Sequence, residues 1–493
     1  MSKAYIIGTG PGDEDLLTLK AIEALKECTA VLYDRLVSNN VLNYINDNCE
    51  VYYCGKEPGA HSKTQEEINE LIVKLLNEGH TVGRVKGGDP YVFGRGGEEV
   101  IAIKENNHEF EVISAVTSPI SVLNYAGIPI THRGIAQSFH IVTGKSAKDS
   151  TVNFEALAKE NGTLVFMMGF SNLSLIRDNL IKYGKNKNTP CAIVMKGSTS
   201  KQKTVVGVLE DIEEKALSAK IESPCIIVIG EVVNLREKLL WYENKPLFGA
   251  NICITRTKEQ ATPLKNKLKK LGAEVTEINS IKIKPTLENI KPYLNNLKDY
   301  DHIIFTSVNG VNNFFDALIK ERYDVRNIKA KFSVIGKATD EALLNRGIVP
   351  FLVAKSFVAE GLFEDLKAKL KAGEKVLIPA SSLARDFLYD SISKMGLEVH
   401  RVNIYDTLCG NLKNVNAFAN VDMVLYTSPS TVKNMIKIIG LEKLKEKHSI
   451  AMGPKTNEEL IKNGIDTAYV CKKHYGNGFL EEVTDFWENS RED

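Results

Sequence analysis

The amino-acid sequence predicts an α/β protein of several domains with mostly parallel sheets, and three observations support this fold class. The chain has 493 residues, which is enough for several domains that each bury a core. Short apolar runs of strand length alternate with stretches whose apolar residues recur at helical spacing. A second series of this alternation begins after a polar connector near residue 245.

The first elements follow in order from the N-terminus. Ala4–Ile7 is predicted to be a strand and Leu16–Lys26 a helix. Ala30–Tyr33 is predicted to be the next strand, and Gln65–Asn77 the next long helix. Because helical crossovers join parallel strands, this order favours a parallel sheet.

The second half opens with a predicted strand at Asn251–Thr255 and contains a weak internal repeat. Ile303–Phe305 is followed by Thr306-Ser307, and Val424–Tyr426 is followed by Thr427-Ser428. Two copies of a strand, a Thr-Ser pair and a helix indicate two similar α/β lobes.

Composition disfavours several classes of protein. A net charge of +1 provides no global field for binding nucleic acid. The eight cysteines form no C-x-x-C pair, which argues against a zinc site or a disulfide framework and fits a reducing cytosol. No apolar run approaches the ~18–20 residues of a membrane span, and the N-terminal one is too short for a secretory signal. We therefore expect a cytoplasmic protein with no metal site, no membrane segment and no nucleic-acid partner.

A glycine-rich loop, Gly8 to Asp13, directly follows the first strand. Glycines allow a backbone to approach a ligand closely and to adopt positive φ. A dinucleotide-binding loop has the pattern G-x-G-x-x-G and directs a helix N-terminus at a pyrophosphate. Here Pro11 removes an N–H donor and Asp13 would repel a phosphate, so NAD binding is disfavoured. A tight turn without a ligand is the alternative for this loop taken alone.

A second cluster, from Val85 to Glu99, combines several glycines with a carboxylate and an arginine. Asp89 can accept hydrogen bonds from an amine or a hydroxyl group. Arg95 can hold a carboxylate through two parallel hydrogen bonds. This combination favours a functional loop over an ordinary surface connection.

The first half resembles the tetrapyrrole methyltransferase family, and within it the uroporphyrinogen-III C-methyltransferases. The resemblance covers nearly all of residues 3–237, and its most specific motifs are GGDPYVFGRGGEE and YDRLVS. It implies two α/β lobes, usually in a homodimer. It also implies S-adenosylmethionine as the methyl donor, bound between the lobes, and S-adenosylhomocysteine as the product.

Position by position, the resemblance implies a donor pocket with polar anchors and an apolar wall for the adenine. Met168, taken alone at a strand end, is also explained as a core residue. The implied pocket residues are Pro11, Gly87, Gly88, Asp89, Val92, Thr117, Ser118, Met168 and Gly197.

Methyl transfer is an in-line attack by an electron-rich pyrrole carbon, and the enzyme has to align the reactants and manage one proton. The resemblance assigns Asp34 as proton acceptor and Lys56 as proton donor. The alternatives are a helix N-cap for Asp34 and a solvated loop lysine for Lys56. Uroporphyrinogen carries eight carboxylates, so Arg35, Arg95 and Arg133 are candidate clamps.

From its residues alone, the second half is a pair of α/β lobes that a binding module would fit equally well. It resembles uroporphyrinogen-III synthase over nearly its whole length, in segments such as YDHIIFTSVNGVNNFFDAL and LYTSPSTVKNM. The resemblance implies closure of linear hydroxymethylbilane with inversion of its last ring. It divides the chain into a methyltransferase at 1–240, a linker at 241–249 and a synthase at 250–493. One synthase lobe is then 250–283 plus 408–493, and the other is 284–407.

In the synthase, Tyr405 matches the family's best acid candidate, since a phenol can donate a hydrogen bond to the leaving oxygen. A packed aromatic residue at a strand end is the alternative. Hydroxyl groups just after predicted strands are placed where open α/β sheets bind ligands, and they can donate to substrate carboxylates. These residues are Thr255, Thr306, Ser307, Thr427 and Ser428.

The chain departs from the family patterns at two positions. Ala115 replaces a glycine and adds a Cβ beside the donor, so we expect an altered local backbone. Ala380 stands where the synthases often have an arginine, although Arg385 follows it.

These observations predict a bifunctional enzyme. It would cyclise hydroxymethylbilane to uroporphyrinogen III and methylate it twice, at C2 and C7, to give precorrin-2 for sirohaem or cobalamin-type corrinoids. One alternative is a methyltransferase whose second half is a non-catalytic tetrapyrrole-binding module. A nucleotide-dependent oxidoreductase is the other, and Pro11 and Asp13 argue against it. The chain leaves no residues for a dehydrogenase–ferrochelatase module, so neither NAD-dependent oxidation nor iron insertion is expected.

Overall fold

The structure is a computed structural model that describes residues 2–55, 63–145, 152–255, 258–355, 358–410, 417–472 and 478–492. These residues form four sheets with helices packed against them. They divide into two compact units, Met1–Ile278 with Leu412–Asp493 and Asn279–Asn411. The predicted α/β class is confirmed. Within the described ranges, no helix combines the length and apolar character needed to cross a membrane.

The first sheet is entirely parallel, with the order β3-β2-β4-β1-β5. Its strands are β1 (Lys3–Gly8), β2 (Ala30–Tyr33), β3 (Glu50–Tyr53), β4 (Val82–Lys86) and β5 (Glu109–Ile113). The helices of this region are α1 (Leu19–Glu27), α2 (Gln65–Asn77), α3 (Gly96–Glu105) and α4 (Ser118–Tyr125).

The neighbouring strands β1 and β4 form a topological switch point. The chain leaves β1 towards β2 on one side of the sheet and leaves β4 towards β5 on the other side. Accordingly α1 packs against one face of the sheet, whereas α2 and α3 pack against the opposite face. Ligands of open α/β sheets bind in the crevice at the carboxyl ends of such strands. Both glycine-rich loops begin at these ends.

The predicted helix over Leu16–Lys26 is divided in the structure. A short 3-10 turn spans Glu14–Leu16, and α1 begins at Leu19. Thr18 is the N-cap of α1, because its hydroxyl accepts a hydrogen bond from the Ala21 N–H at 3.1 Å. The first glycine-rich loop is therefore followed by a 3-10 turn and then by α1, rather than by one continuous helix.

The second sheet has the order β6-β7-β10-β8-β9, and only β6 and β7 are parallel. The expectation of parallel strands is wrong here, because the short connection from β8 to β9 allows antiparallel pairing. Its strands are β6 (Phe139–Thr143), β7 (Thr163–Met167), β8 (Pro190–Met195), β9 (Lys203–Val208) and β10 (Cys225–Ile229). Its helices are α5 (Phe154–Lys159), α6 (Leu173–Lys182), α7 (Ile212–Ser218) and α8 (Arg236–Leu239).

The connector that follows α8 is packed against the protein. Trp241 and Tyr242 make edge-on contacts with the Tyr125 ring of α4, at centroid distances of 5.2 and 4.7 Å. Tyr242 and Leu247 are buried. Aromatic contacts of this kind stabilise a fixed path for the chain.

The third sheet belongs to the same compact unit and is parallel, with the order β12-β11-β19-β20-β21. Its strands are β11 (Asn251–Ile254), β12 (Glu274–Glu277), β19 (Met423–Tyr426), β20 (His448–Ala451) and β21 (Thr467–Val470). The helices are α9 (Lys258–Lys270), α15 (Pro429–Ile439), α16 (Leu441–Lys445), α17 (Pro454–Lys462) and α18 (Gly478–Glu492).

The fourth sheet forms the second unit, with the order β13-β18-β17-β14-β15-β16 and one antiparallel edge strand, β13. Its strands are β13 (Ile281–Pro285), β14 (His302–Phe305), β15 (Lys331–Val334), β16 (Leu352–Val353), β17 (Lys375–Ser381) and β18 (Glu398–Cys409). The helices are α10 (Lys291–Leu294), α11 (Val308–Lys320), α12 (Lys337–Leu344), α13 (Ala359–Lys367) and α14 (Phe387–Ser393).

The aromatic core of the second unit gives a stability prediction. Phe305 is fully buried and packs edge-on against Phe314 at a centroid distance of 5.4 Å. Phe305→Ala should lower the free energy of unfolding of this unit by about 3–5 kcal/mol, because it removes buried apolar area and leaves a cavity. Urea titration, with hydrogen exchange of β14 and β15 to identify the unit, measures the change.

The control for this prediction is Ile319→Ala. Ile319 lies on α11 with 68% of its surface exposed, so the change should alter the free energy by less than about 1 kcal/mol. Equal effects of the two substitutions would contradict the assignment of Phe305 to the core.

Candidate active sites

The two glycine-rich loops meet at the carboxyl ends of β1 and β4. The Gly88 N–H donates to the Gly10 carbonyl at 2.7 Å, and the Gly10 N–H donates to the Gly88 carbonyl at 3.3 Å. Both residues have positive φ, +75° at Gly10 and +70° at Gly88, which glycine adopts without steric cost. A Cβ placed on Gly88 would meet no atom within 4 Å. We call this pair of loops the glycine platform; it offers backbone that a ligand can approach.

Asp89 ties the glycine platform to the segment after β5. Its Oδ1 accepts from the Tyr91 N–H and its Oδ2 from the Ala115 N–H, both at 2.9 Å. A carboxylate has about four acceptor positions, so Asp89 retains capacity for a ligand donor. A Cβ on Gly8 would lie 2.7 Å from the Ala115 Cβ. Glycine at position 8 thus leaves the space in which the Ala115 methyl group is accommodated.

The segment after β8 lies against α4. A Cβ on Gly197 would stand 2.4 Å from the Val122 side chain, so this close approach requires glycine. Thr117 is the N-cap of α4 and Ser118 is its first residue. The structure therefore places these three predicted donor residues on two adjoining segments.

Met168 directly follows β7, with φ of +52° and 48% of its surface exposed, so it is not a core residue. Since β7 and β8 are both antiparallel to β10, their carboxyl ends lie at one edge of the second sheet. Met168 and Gly197 share that edge. Strained backbone is concentrated in these loops: Phe93, Arg95, Met168, Lys196 and Ser198 all have positive φ.

Asp34 lies directly after β2, and its side chain is partly exposed. Its Oδ1 accepts from the Leu36 N–H at 3.3 Å, so the carboxylate also caps its own turn. Its Oδ2 accepts from the Arg84 guanidinium at 3.1 Å. One contact therefore fixes the loop, and the other connects Asp34 to the interior of the sheet.

Arg84 and Lys86 alternate along β4 and point their charges to the same buried carboxylate. Arg84 Nε lies 2.9 Å and Lys86 Nζ 2.8 Å from Glu99 Oε1, and the Glu99 side chain is completely buried. Burial and the neighbouring Arg84 lower the pKa of Lys86 below its ordinary value. Burial opposes the charge of Arg84, but Glu99 and Asp34 outweigh it and raise the pKa of Arg84.

We call Asp34, Arg84, Lys86 and Glu99 the buried charge network. It fixes the orientation of the Asp34 carboxylate at the mouth of the crevice. No role was predicted for Arg84, Lys86 and Glu99. The signal in the sequence that could have indicated them is a pair of cations at alternate positions of an otherwise apolar strand, since buried cations in proteins are almost always paired.

The other predicted residues of the first half differ in placement. Lys56 lies outside the described residues. Arg35 and Arg133 are exposed. Arg95 is exposed as well and binds Glu98 at 2.6 and 2.9 Å, which raises the pKa of Arg95. Their roles as substrate clamps stay predictions.

In the second unit, Tyr405 lies on β18 with 6% of its surface exposed, and its hydroxyl is 2.9 Å from the Ser307 hydroxyl. Burial raises the pKa of Tyr405, although the Ser307 bond opposes the shift. Ser307 also caps α11 by accepting from the Gly310 N–H at 3.0 Å. Thr306 precedes it at the end of β14. This arrangement brings two of the predicted synthase hydroxyls within hydrogen-bonding distance.

The remaining synthase hydroxyls follow the neighbouring parallel strands β11 and β19, so they lie at one edge of the third sheet. Thr255 is buried, and its hydroxyl donates to the Leu425 carbonyl at 2.8 Å. Thr427 and Ser428 are half-buried, and Ser428 begins the turn into α15. Their contact with substrate carboxylates stays a prediction.

The second departure from the family pattern, Ala380, is buried in β17. The nearby Arg385 is paired with Glu360 at 2.8 Å, and Arg401 donates to the carbonyls of Ser381 and Ala384 at 3.1 and 2.8 Å. The cations near Ala380 thus make contacts within the protein itself.

Comparison with known proteins identifies both halves. A family model described as Tetrapyrrole (Corrin/Porphyrin) Methylases matches residues 3–213, and one described as Uroporphyrinogen-III synthase HemD matches residues 262–481. Porphyrin biosynthesis protein HemD of Ruminiclostridium josui is 37% identical over 473 residues, which cover 93% of each chain. The chain belongs to the family that joins a tetrapyrrole methylase to a uroporphyrinogen-III synthase. It is a bifunctional enzyme of tetrapyrrole biosynthesis, and the predicted family and enzyme class are confirmed.

Other relatives match about half of this methylase–synthase chain. The uroporphyrinogen-III C-methyltransferase of Methanocaldococcus jannaschii is 46% identical over 235 residues, which cover 47% of this chain and 97% of that protein. A solved structure of uroporphyrin III C-methyl transferase from Thermus thermophilus has 38% identity and a TM-score of 0.42, and it covers 48% of this chain and all of that chain. Below, residues 1–240 are called the methylase half and residues 250–493 the synthase half.

The buried charge network gives a prediction with an adjacent control. Glu99→Gln should lower the free energy of unfolding by about 3–5 kcal/mol, because Lys86 then remains buried without a counter-charge and Arg84 keeps only Asp34. The neighbouring Glu98 side chain is 51% exposed in its pair with Arg95. Glu98→Gln should therefore change stability by less than about 1 kcal/mol. Chemical denaturation of both variants measures the difference, and a loss of similar size in both would contradict the network.

Proposed function

We propose that this enzyme cyclises hydroxymethylbilane to uroporphyrinogen III and then methylates the product at C2 and C7 to give precorrin-2. The observation that carries the proposal is the glycine platform. It lies at the switch point of a parallel sheet, beside a carboxylate that a buried charge network holds in place. Membership in the fused methylase–synthase family supports two consecutive reactions on one chain.

The proposed methyl donor is S-adenosylmethionine, which supplies an electrophilic methyl group on a sulfonium centre. The chain offers features that fit it: open space above Gly88, unused acceptor capacity on Asp89, and the exposed side chain of Met168. Few polar anchors among apolar walls are typical of a small-molecule pocket. The proposed pocket comprises Pro11, Gly87, Gly88, Asp89, Val92, Thr117, Ser118, Met168 and Gly197.

In the methylation step, the attacking pyrrole carbon gains a bond to the methyl group as the bond between that methyl and the donor sulfur breaks, which leaves S-adenosylhomocysteine, and the ring must then lose a proton. We assign Asp34 as the acceptor of that proton. Arg84 holds one carboxylate oxygen and the Leu36 N–H holds the other, so the group is oriented before the substrate arrives. Lys56 is the proposed proton donor, and Arg35, Arg95 and Arg133 are the proposed carboxylate clamps.

In ring closure, the carbon–oxygen bond of the bilane's terminal hydroxymethyl group breaks, and the oxygen leaves as hydroxide, assisted by a hydrogen bond donated to it. We assign this hydrogen-bond donation to the Tyr405 phenol, which Ser307 holds at 2.9 Å. Because burial raises its pKa, the phenol keeps its proton above the pH at which an exposed tyrosine ionises. Thr255, Thr306, Thr427 and Ser428 are proposed to bind side-arm carboxylates.

The organisation of the enzyme is part of the proposal. We assign the methyltransferase to 1–240, the linker to 241–249 and the synthase to 250–493, with lobes at 250–283 plus 408–493 and at 284–407. A homodimer through the methylase half stays a prediction from the resemblance, and a cytoplasmic location stays a prediction from the composition.

The decisive assay is an anaerobic incubation of the full chain with hydroxymethylbilane and S-adenosylmethionine, followed by product mass and isomer analysis. We expect a dimethylated type III product. Asp34→Asn should stop methylation at the level of uroporphyrinogen III while ring closure continues, because only the proton acceptor of the first site is changed.

The isomer composition separates this proposal from its alternative. Uroporphyrinogen I and its methylated forms would mean that the bilane closes without help, and the second half would then be a tetrapyrrole-binding module. Unmethylated type III product from the unaltered chain would instead contradict the donor site.

Tyr405→Phe tests the ring-closing site. Loss of a hydrogen bond to a leaving group that gains charge should lower kcat for type III closure about tenfold to a hundredfold. Measurement of the type III product by rapid quench and chromatography gives the rate. Spontaneous closure, which gives type I, is counted separately.

Tyr300→Phe is the matched control for this substitution. Tyr300 is also buried in the second unit, and its hydroxyl lies 2.9 Å from His400 Nδ1. The Tyr300→Phe variant therefore loses a buried hydroxyl group while the proposed acid, Tyr405, is unchanged. A rate for Tyr405→Phe equal to that of the control would remove Tyr405 from the mechanism.

A further inference from the structure

Helix α9 of the synthase half contacts the methylase half beside the proposed donor loop. Both belong to one compact unit, which spans Met1–Ile278 and Leu412–Asp493. The contacts involve Lys265 and Lys269, which lie one helical turn apart on the same face of α9. On the methylase side they involve the three consecutive carboxylates Asp13, Glu14 and Asp15.

The ion pairs at this contact are close and mostly shielded from solvent. Lys269 Nζ lies 2.8 Å from Asp13 Oδ1 and 2.7 Å from Asp15 Oδ1. Lys265 pairs with Glu14 and with Glu277 of its own half. The side chains of Lys265, Lys269, Asp13 and Glu14 are between 5% and 15% exposed. Ion pairs at such burial are screened by salt far less than surface pairs.

Asp13 joins three of the segments that carry the proposed donor pocket. It follows Pro11 by two residues. Its Oδ2 accepts from the Tyr125 hydroxyl of α4 at 2.8 Å, and its N–H donates to Ser198 Oγ, next to Gly197, at 3.3 Å. The residue that Lys269 binds is therefore the point where the first loop, α4 and the segment after β8 meet.

The synthase half also holds the segment after β8 directly. The N–H and the hydroxyl of Ser200 both donate to Glu274 Oε2 at 2.8 Å. Lys201 Nζ lies 2.9 Å from Asp422 Oδ1. Two independent groups of contacts thus connect the synthase half to backbone that lines the donor pocket.

A third contact holds the loop that begins with Asp34. Asn40 is buried, and its amide donates to the Val275 carbonyl at 2.5 Å and accepts from the Glu277 N–H at 3.2 Å. The Asn40 side-chain amide therefore donates one hydrogen bond to β12 of the synthase half and accepts one from it, as the backbone of a neighbouring strand would. The proton-acceptor loop is fixed to the same half as the donor loop.

Lys265 and Lys269 stabilise the conformation of the loop that contains Asp13, Glu14 and Asp15, because they neutralise its negative charge. Three consecutive carboxylates repel one another, and burial increases the cost of keeping them ionised. Burial opposes ionisation of Asp13, but Lys269 outweighs it and lowers the pKa of Asp13. Burial likewise opposes the charge on both lysines, but the carboxylates outweigh it and raise the pKa of Lys265 and Lys269.

We propose that Lys265 and Lys269 of the synthase half are positioning residues for the methyl-transfer site, which they serve by holding the donor loop through Asp13 and Glu14. The inference rests on the proposed function of the methylase half. It makes the affinity for the methyl donor depend on residues of the second enzyme. The two halves are then coupled through protein structure, apart from any transfer of intermediate between them.

Lys269→Met in the full chain tests the proposal. Titration calorimetry with S-adenosylhomocysteine should give about tenfold weaker binding, within the usual range of coupling between sites. The KM for S-adenosylmethionine should rise with little change in kcat, because the loop is displaced while the reacting groups remain. Type III ring closure by the same variant should be unchanged, which also shows that the synthase half is folded.

Lys270→Met is the matched control, since Lys270 is exposed on the same helix and forms none of these ion pairs with the carboxylates. It should bind S-adenosylhomocysteine as the unaltered chain does. Lys269→Arg keeps the positive charge and should recover part of the lost affinity. If Lys269→Met does not fold, Lys269→Gln decides, because its polar amide removes the charge that pairs with Asp13 and should also weaken binding.

The outcomes separate this inference from the proposed function. Unaltered affinity in Lys269→Met, or in Lys269→Gln where the first variant fails to fold, would overturn the positioning role and leave the donor site intact. Absence of S-adenosylhomocysteine binding to the unaltered chain would overturn the proposed donor site itself.

Discussion

The parallel pairing of β1 with β4 determines where the proposed methyl-transfer site of the methylase half lies. Because the chain leaves these two neighbouring strands towards opposite sides of the sheet, their carboxyl ends border a crevice of the kind in which open α/β sheets bind ligands. A separate antiparallel bridge between Gly10 and Gly88 follows the two strands and brings two loops from distant parts of the sequence together. Asp89 directly follows this bridge and holds Ala115 beside it.

The same strand carries the charges that support the crevice. Arg84 and Lys86 are two residues apart in β4, so their side chains lie on the same face of the sheet. Glu99 of α3 pairs with both of them there. Because these ion pairs are buried, their geometry is tightly constrained. Displacement of one partner would leave a buried charge that neither a counter-charge nor water stabilises. The Asp34 carboxylate is thereby held by the interior of the sheet as well as by its own turn.

Local patterns predicted the elements well, whereas contacts between distant segments could not be predicted. The strand Ala30–Tyr33 and the helix Gln65–Asn77 have the predicted bounds, because periodicity alone specifies them. The antiparallel second sheet was missed, since pairing direction depends on connections whose course periodicity does not show. The motifs indicated Gly88 and Asp89 through the family resemblance. Lys269 could not be linked to Asp13, because 256 residues separate them and no local pattern relates the two positions.

The connector that packs Trp241 and Tyr242 against Tyr125 has a consequence for how strong the contact between the halves has to be. Segments joined by a short, ordered connector meet at an effective concentration on the order of millimolar or higher, whatever the concentration of the protein. A handful of polar contacts, too few to assemble two separate enzymes, is then enough to keep them together. In a fused chain, the contact between the two halves does not have to provide the affinity that holds them together. A small interface that only fixes the orientation of the halves is sufficient.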